Sequence, residues 1–136
     1  VLPPGEGEVL YIDDDEVNRV LMQAYLGVRP RVGLRVAASG SEGLAMASAS
    51  RPDLLLIDLM MPGMNGLQVL AAVRADPALR GTPCLALSAN AMPEEIDAAM
   101  RAGFDGYLVK PVAVDMLLRE IDRRLAPRAE APATPA

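Results

Sequence analysis

Two strand-length runs in this chain are apolar throughout, and both stop at aspartate. Val9-Leu10-Tyr11-Ile12 runs into Asp13, Asp14 and Asp15, and Leu54-Leu55-Leu56-Ile57 runs into Asp58. A strand without polar alternation is covered on both faces, which is the setting of a parallel sheet with helices on either side. Strands of such a sheet run the same way, so both deliver their carboxylates to one edge. Carboxylates about 4 Å apart repel by roughly 4 kcal/mol per pair at an effective dielectric near 20, so the cluster persists only if it shares protons or holds a cation. Oxygen-only ligands favour a hard cation, Mg²⁺ above all.

The rest of the chain repeats the alternation of strand and helix. The first strand spans roughly 8–13. A helix follows over 15–27, with Asp15 as its N-cap and Val17, Val20, Leu21, Ala24 and Tyr25 as its expected buried stripe. Val32-Gly-Leu34-Arg-Val36 alternates in period two, as an edge strand does. Ser39-Gly-Ser-Glu42 is a capping box for a second helix that Arg51-Pro52 closes. After Leu54–Asp58 comes the loop Met61-Pro62-Gly63-Met64, then a helix capped by Asn65, with Leu67, Leu70 and Val73 inward and Asp76-Pro77 at its end. Pro83–Ser88 reads as the fourth strand. Pro93 opens a helix carrying Ile96, Ala99 and Met100, stopped by Gly103. Gly106–Lys110 is the fifth strand, and Val114, Leu117, Ile121 and Leu125 line the last helix. The expectation is an α/β domain at 8–126, a single doubly wound (βα)5 unit of flavodoxin-like type. A short lead precedes it at 1–7 and a Pro/Ala-rich tail or linker follows at 127–136. Its ligand crevice belongs at the carboxyl ends of the strands.

Composition removes whole classes of chemistry. The chain of 136 residues has no histidine, which excludes imidazole bases, histidine metal ligands and a phosphohistidine of its own. Net charge is 13 minus 18, or −5, with no basic stripe, so nucleic acid is not a direct partner. Cys84 is the one cysteine and sits in an apolar run, so it reads as a small buried strand residue and the compartment as reducing. No run reaches the 18 or so apolar residues of a membrane span, and no charged signal-peptide start is present, so the segment reads as cytoplasmic without membrane contact of its own.

Four strand ends carry polar groups: Asp13 and Asp14, Asp58, Ser88 and Lys110. Each has a place in phosphoryl transfer to a carboxylate. Asp58 is the candidate nucleophile. Asp14 and Asp58 are candidate direct Mg²⁺ ligands, with Asp13 acting through its field or a bound water. Lys110 offers a compact positive charge to a phosphoryl oxygen and Ser88 a hydroxyl donor to another.

The segments Val9-Leu-Tyr-Ile-Asp-Asp-Asp-Glu16, Asp58-Leu-Met-Met-Pro-Gly-Met-Asn-Gly66, Leu87-Ser-Ala-Asn90 and Tyr107-Leu-Val-Lys-Pro111 resemble the signature segments of the response-regulator receiver domain of two-component signalling. The resemblance implies a five-stranded parallel sheet in order 2-1-3-4-5. It also implies a phosphoacceptor at Asp58, an acidic metal site at Asp13 and Asp14, a switch hydroxyl at Ser88 and a paired lysine at Lys110. The backbone carbonyl of Met60 would complete the Mg²⁺ site, Lys110-Pro111 would be a cis peptide, and Tyr107 would be the switch aromatic. The side chains of Met60 and Asn90 would flank the path of water to the phosphorus and tune phosphoryl lifetime. The implied partner is a histidine kinase or a histidine phosphotransfer domain, in a phosphorelay. Leu87-Ser-Ala-Asn-Ala-Met-Pro-Glu-Glu95 and Ala102-Gly-Phe-Asp-Gly-Tyr107 are more similar to receivers in hybrid sensor histidine kinases than to those preceding DNA-binding domains, a resemblance that implies a parent chain with kinase domains and a membrane anchor.

Two other readings compete. Asp13-x-Asp15-x-Val17 fits the nucleophile motif of haloacid-dehalogenase-like phosphatases, but the acidic pair needed after the lysine is reduced to isolated Asp115 and Asp122, and Asp58 is left idle. A phosphorylation-independent interaction module is the other, and it leaves a complete set of acceptor, metal and lysine positions without use.

Overall fold

The computed structural model describes residues 3–126, so the tail at 127–136 and the first two residues of the lead lie outside it. Five strands alternate with five helices: β1 (Gly7–Ile12), α1 (Glu16–Leu26), β2 (Val32–Ala37), α2 (Gly40–Ala49), β3 (Leu54–Asp58), α3 (Gly66–Ala75), β4 (Cys84–Ser88), α4 (Pro93–Ala102), β5 (Gly106–Val109) and α5 (Val114–Arg124). All pairings are parallel and the order is β2-β1-β3-β4-β5, a doubly wound sheet as expected from the sequence. β3 and β4 are buried at every position, whereas β2 at the edge is half-buried along most of its length.

Alternation along the strands divides the core between the two faces of the sheet. Leu10, Ile12, Leu55, Ile57 and Ala86 pack under α2, α3 and α4 with Leu70, Val73 and Phe104. Val9, Tyr11, Leu54, Leu56, Leu85 and Leu87 pack under α1 and α5 with Met22, Leu26, Leu117 and Ile121. With four aromatic residues in the whole sequence, aliphatic side chains fill both layers.

The inner face of α1 is not the expected one. Val17, Val20 and Leu21 are exposed and Ala24 lies outward with them, while Met22 and Leu26 are buried and Tyr25 is half-buried. The cause is polar. Asp15 caps the helix by accepting from the N–H groups of Val17 and Asn18, and the Asn18 amide donates to Asp13 at 3.2 Å. That contact turns Asn18 inward and takes Met22 and Leu26 with it at i+4 and i+8. A smaller shift occurs in α3, where Val69, Leu70 and Val73 face the core and Leu67 is exposed. In α4 Ala99 is buried, Ile96 half-buried and Met100 exposed. In α5 Leu117 and Ile121 are buried and Val114 is at the surface.

The caps follow the sequence closely. Asn65 and Gln68 form a reciprocal box at 2.9 and 2.8 Å. Ser39 accepts from Glu42 N–H at 3.1 Å, but the Glu42 carboxylate returns to Ala38 N–H, one residue before the cap. Gly103 ends α4 at φ +122, a conformation that L side chains rarely adopt.

Candidate functional site

The five polar residues expected at strand ends lie at the carboxyl edge of the sheet, and Tyr107 lies within β5. Asp13 and Asp14 follow β1 directly, Asp58 and Ser88 are the last residues of β3 and β4, and Lys110 follows β5. Asp13, Asp14 and Asp58 bring one carboxylate oxygen each within 4.8 Å of the others. Asp13 and Asp58 are buried and Asp14 is exposed. The set is all oxygen and carries three negative charges, which fits a hard divalent cation. Asp14 and Asp58 would hold it, and the Met60 carbonyl is the further ligand that the resemblance implies.

Asp13 is wholly enclosed and engaged on both oxygens. Its Oδ1 accepts from Asp15 N–H at 2.9 Å. Its Oδ2 accepts from the Tyr11 hydroxyl, from Lys110 Nζ at 3.0 Å and from Asn18 Nδ2 at 3.2 Å. Burial acts to raise this carboxyl, but the hydrogen bonds from Tyr11, the Asp15 N–H and Lys110 outweigh it and hold the group below its ordinary value. Tyr11 is the counterpart. Burial first, then its bond to Asp13, drives the phenol well above its usual range, so it stays protonated and donates.

Asp58 behaves differently. Burial raises its carboxyl, the Lys110 ammonium opposes the rise, the Asp13 charge adds to it, and the result is about 6. Its Oδ1 accepts from Met60 N–H at 3.2 Å and lies 3.3 Å from Lys110 Nζ. Lys110 thus bridges Asp13 and Asp58. It is the only lysine in a chain whose other basic side chains are all arginine. The peptide joining it to Pro111 is cis.

The loop after Asp58 is folded tightly against its own strand. Gly66 N–H donates to the Leu59 carbonyl at 3.1 Å, and a Cβ at Gly66 would stand 2.6 Å from the Asp58 carbonyl oxygen. Only glycine allows that approach, which sets the path of the loop carrying Met60. A groove of about 500 Å³ opens beside it, lined by Met60, Met61, Asn65, Ser88, Asn90 and Tyr107 among others. Ser88 is buried and its Oγ accepts from Asn90 N–H at 3.1 Å. The Asn90 side chain accepts from Met92 N–H at 2.9 Å, so it closes its own loop. Tyr107 is half-buried and its hydroxyl donates to the Asn90 carbonyl at 2.7 Å. The Met60 side chain is 75% exposed, so it shields little of its surroundings from water.

Two participants escaped the sequence reading, Tyr11 and Asn18. Tyr11 passes as one more apolar strand residue, yet it stands two positions before Asp13 and therefore on the same face of the strand. Strand alternation alone was a sufficient signal for it. Asn18 carried no comparable signal, since its contact depends on how α1 is rotated.

A single doubly wound (βα)5 unit with an acid cluster, a hydroxyl and a lysine on its carboxyl edge defines a receiver-type α/β domain. The chain belongs to the response-regulator receiver family of two-component systems: the family model described as "Response regulator receiver domain" matches residues 9–122. It is similar to the chemotaxis protein CheY of Pseudomonas aeruginosa, 34% identical over 116 residues that make up 85% of this chain and 94% of that protein. It is also similar to the sensory/regulatory protein RpfC of Xanthomonas campestris, 40% identical over 114 residues, but these cover 81% of this chain and only 15% of RpfC. Among solved structures, the chemotaxis protein CheY4 of Vibrio cholerae superposes with a TM-score of 0.81 at 32% identity, covering 88% of this chain and 99% of that one.

Proposed function

We propose that this receiver domain takes a phosphoryl group onto Asp58 in a Mg²⁺-dependent reaction, from a phosphohistidine on a histidine kinase or histidine phosphotransfer domain. The observation that carries the reading is the placement of Asp58, a buried carboxylate paired with the only lysine and converging with two further carboxylates. With a carboxyl near 6, Asp58 is largely ionised at neutral pH and available as a nucleophile. Lys110 and the Met60 N–H both contact Oδ1, so Oδ2 is assigned as the attacking atom. A P–O bond forms there as the P–N bond to the donor breaks, and its electron pair returns to the imidazole ring. Mg²⁺ held by Asp14, Asp58 and the Met60 carbonyl, with Asp13 behind them, would supply positive charge against the nucleophile and the transferring group. Lys110 then moves onto one phosphoryl oxygen and Ser88 Oγ onto another. Tyr107 follows Ser88 inward, giving up its bond to the Asn90 carbonyl and altering the surface of β4 and β5.

The rival phosphatase reading needs Asp13 as nucleophile, and Asp13 is enclosed with both oxygens engaged by protein donors. The partial match to RpfC, and a similar one to the sensor histidine kinase AruS of Pseudomonas aeruginosa, support a hybrid-kinase parent. Among the described residues no helix is long and apolar enough to cross a membrane. The test is incubation with Mg²⁺ and a small acyl phosphate, followed by mass analysis of the labelled peptide. A label on the Asp58 peptide that vanishes in Asp58→Asn bears the proposal out. An unchanged label in that variant, or one on Asp13, overturns it.

A further inference from the structure

The Asp13 Oδ2 atom receives three side-chain donors at once: the Tyr11 hydroxyl, the Asn18 amide at 3.2 Å and the Lys110 ammonium at 3.0 Å. Two of these are neutral and fixed by the fold. Tyr11 is 1% exposed, its ring packed among the β1, β3 and β4 core, and Asn18 sits in the first turn of α1. Lys110 is the mobile one, on a four-carbon stem, and 20% of its side-chain surface remains open.

If Lys110 leaves Asp13 for a phosphoryl oxygen, a buried carboxylate loses its cation. Stranding such a charge is costly unless other donors remain on it. Here they do, because Tyr11, Asn18 and the Asp15 N–H stay behind. We propose that Tyr11 is a positioning residue for Lys110: its hydroxyl keeps Asp13 satisfied, so that the lysine is released from Asp13 to the phosphoryl group. This rests on Asp58 accepting phosphate, as proposed above. Tyr11 touches neither the metal ligand Asp14 nor Asp58 through its hydroxyl; it acts by weakening the hold of Asp13 on the lysine.

Because Lys110 is the only lysine, selective ¹⁵N labelling reports on its ammonium group alone. Tyr11→Phe deletes one oxygen and keeps the ring. In the metal-free variant the lysine ammonium hydrogens should exchange with water more slowly than in the wild type, because Asp13 grips them harder. With acetyl phosphate at saturating Mg²⁺, phosphorylation of Tyr11→Phe should be slower by roughly threefold to tenfold, the range of one hydrogen bond. Mg²⁺ affinity, read by titration calorimetry, should not weaken. In a Lys110→Ala background, adding Tyr11→Phe should leave the phosphorylation rate unchanged, since no lysine remains to be released. Unaltered lysine exchange, parallel losses of Mg²⁺ affinity and rate, or an equal further loss in the Lys110→Ala background would each overturn the role of Tyr11. Asn18→Ala, which leaves Tyr11 in place, provides the same comparison if Tyr11→Phe folds poorly. A wild-type protein that takes no phosphoryl group overturns instead the function on which the inference rests.

Discussion

Lys110 reaches from the end of β5 to within 3.3 Å of Asp58 Oδ1 at the end of β3, passing the β4 terminus and Ser88 on the way. The pair spans three strands of the sheet, and only a long unbranched side chain closes that gap. The ammonium, shared with Asp13, offsets part of the repulsion between the two buried carboxylates.

Removing that cation should be felt first as instability. Lys110→Ala leaves Asp13 and Asp58 facing each other in a buried site, and the expected loss is about 3 kcal/mol at neutral pH, the low end for a buried pair because a fifth of the lysine side chain is open to water. Urea denaturation without metal measures it, and Mg²⁺ should recover part of the loss. Lys110→Arg should not restore phosphorylation, because a planar fork does not reproduce a point charge between two carboxylates.

Asp58→Asn should do the opposite in the metal-free protein. A carboxyl raised from 3.8 to about 6 binds its proton more tightly when folded. Its contribution to stability is complete below about pH 4 and is lost as pH rises through 6, by up to about 3 kcal/mol at 1.36 kcal/mol per pH unit. The variant should therefore be more stable than the wild type at pH 7, with the gap closing toward pH 4. Thermal melts across that window check the sign, and a gap that widened on acidification would contradict it.

Ser88→Ala separates acceptance from response. The hydroxyl accepts from Asn90 N–H and makes no hydrogen bond to any of the three carboxylates, so its loss should leave Mg²⁺ affinity nearly unchanged. Phosphate should still be accepted, while the NMR shifts of β4 and β5 that follow phosphorylation should shrink. Loss of Mg²⁺ affinity as severe as in Asp14→Ala would contradict the proposed geometry.

Phosphoryl lifetime is expected to be long. The thioether of Met60 offers water no strong hydrogen bond, and the Asn90 side-chain oxygen already accepts from Met92 N–H. Met60→Asn should accelerate decay of the acyl phosphate at equal Mg²⁺. Equal or slower decay would place control of water elsewhere.

The far end of the sheet has its own pH dependence. Arg29 clasps Asp122 through two bonds of 2.8 and 2.6 Å, and Asp122 also accepts Gly5 N–H at 2.7 Å. The arginine holds the Asp122 carboxyl below its ordinary value, so this contribution is present above the unfolded-state value and is lost as pH falls through the folded one. Asp122→Asn should lower stability by about 1–2 kcal/mol at neutral pH and by less in acid. Melts at both pH values test it.

Two wholly apolar strands ending in aspartate determine much of this protein by themselves. They require a parallel sheet with helices on both faces, and such a sheet puts Asp13, Asp14, Asp58, Ser88 and Lys110 on one edge whatever the details of helix packing. Caps at Asp15, Ser39 and Asn65 are equally local, because a side-chain oxygen two or three residues from an unpaired N–H needs no tertiary partner. The rotation of α1 is another matter. Its apolar residues form a plausible stripe at 17, 20, 21 and 24, and a hydrogen bond from Asn18 to a neighbouring strand end turns the other face inward. The division of labour between the two buried acids is tertiary for the same reason. Asp13 and Asp58 are the same residue type at equivalent strand ends. Both take Lys110 from the far strand, but only Asp13 adds Tyr11 from its own strand and Asn18 from the rotated α1, and Asp58 is left with a raised carboxyl, since charge in a buried site depends on the full set of donors that the assembled sheet supplies.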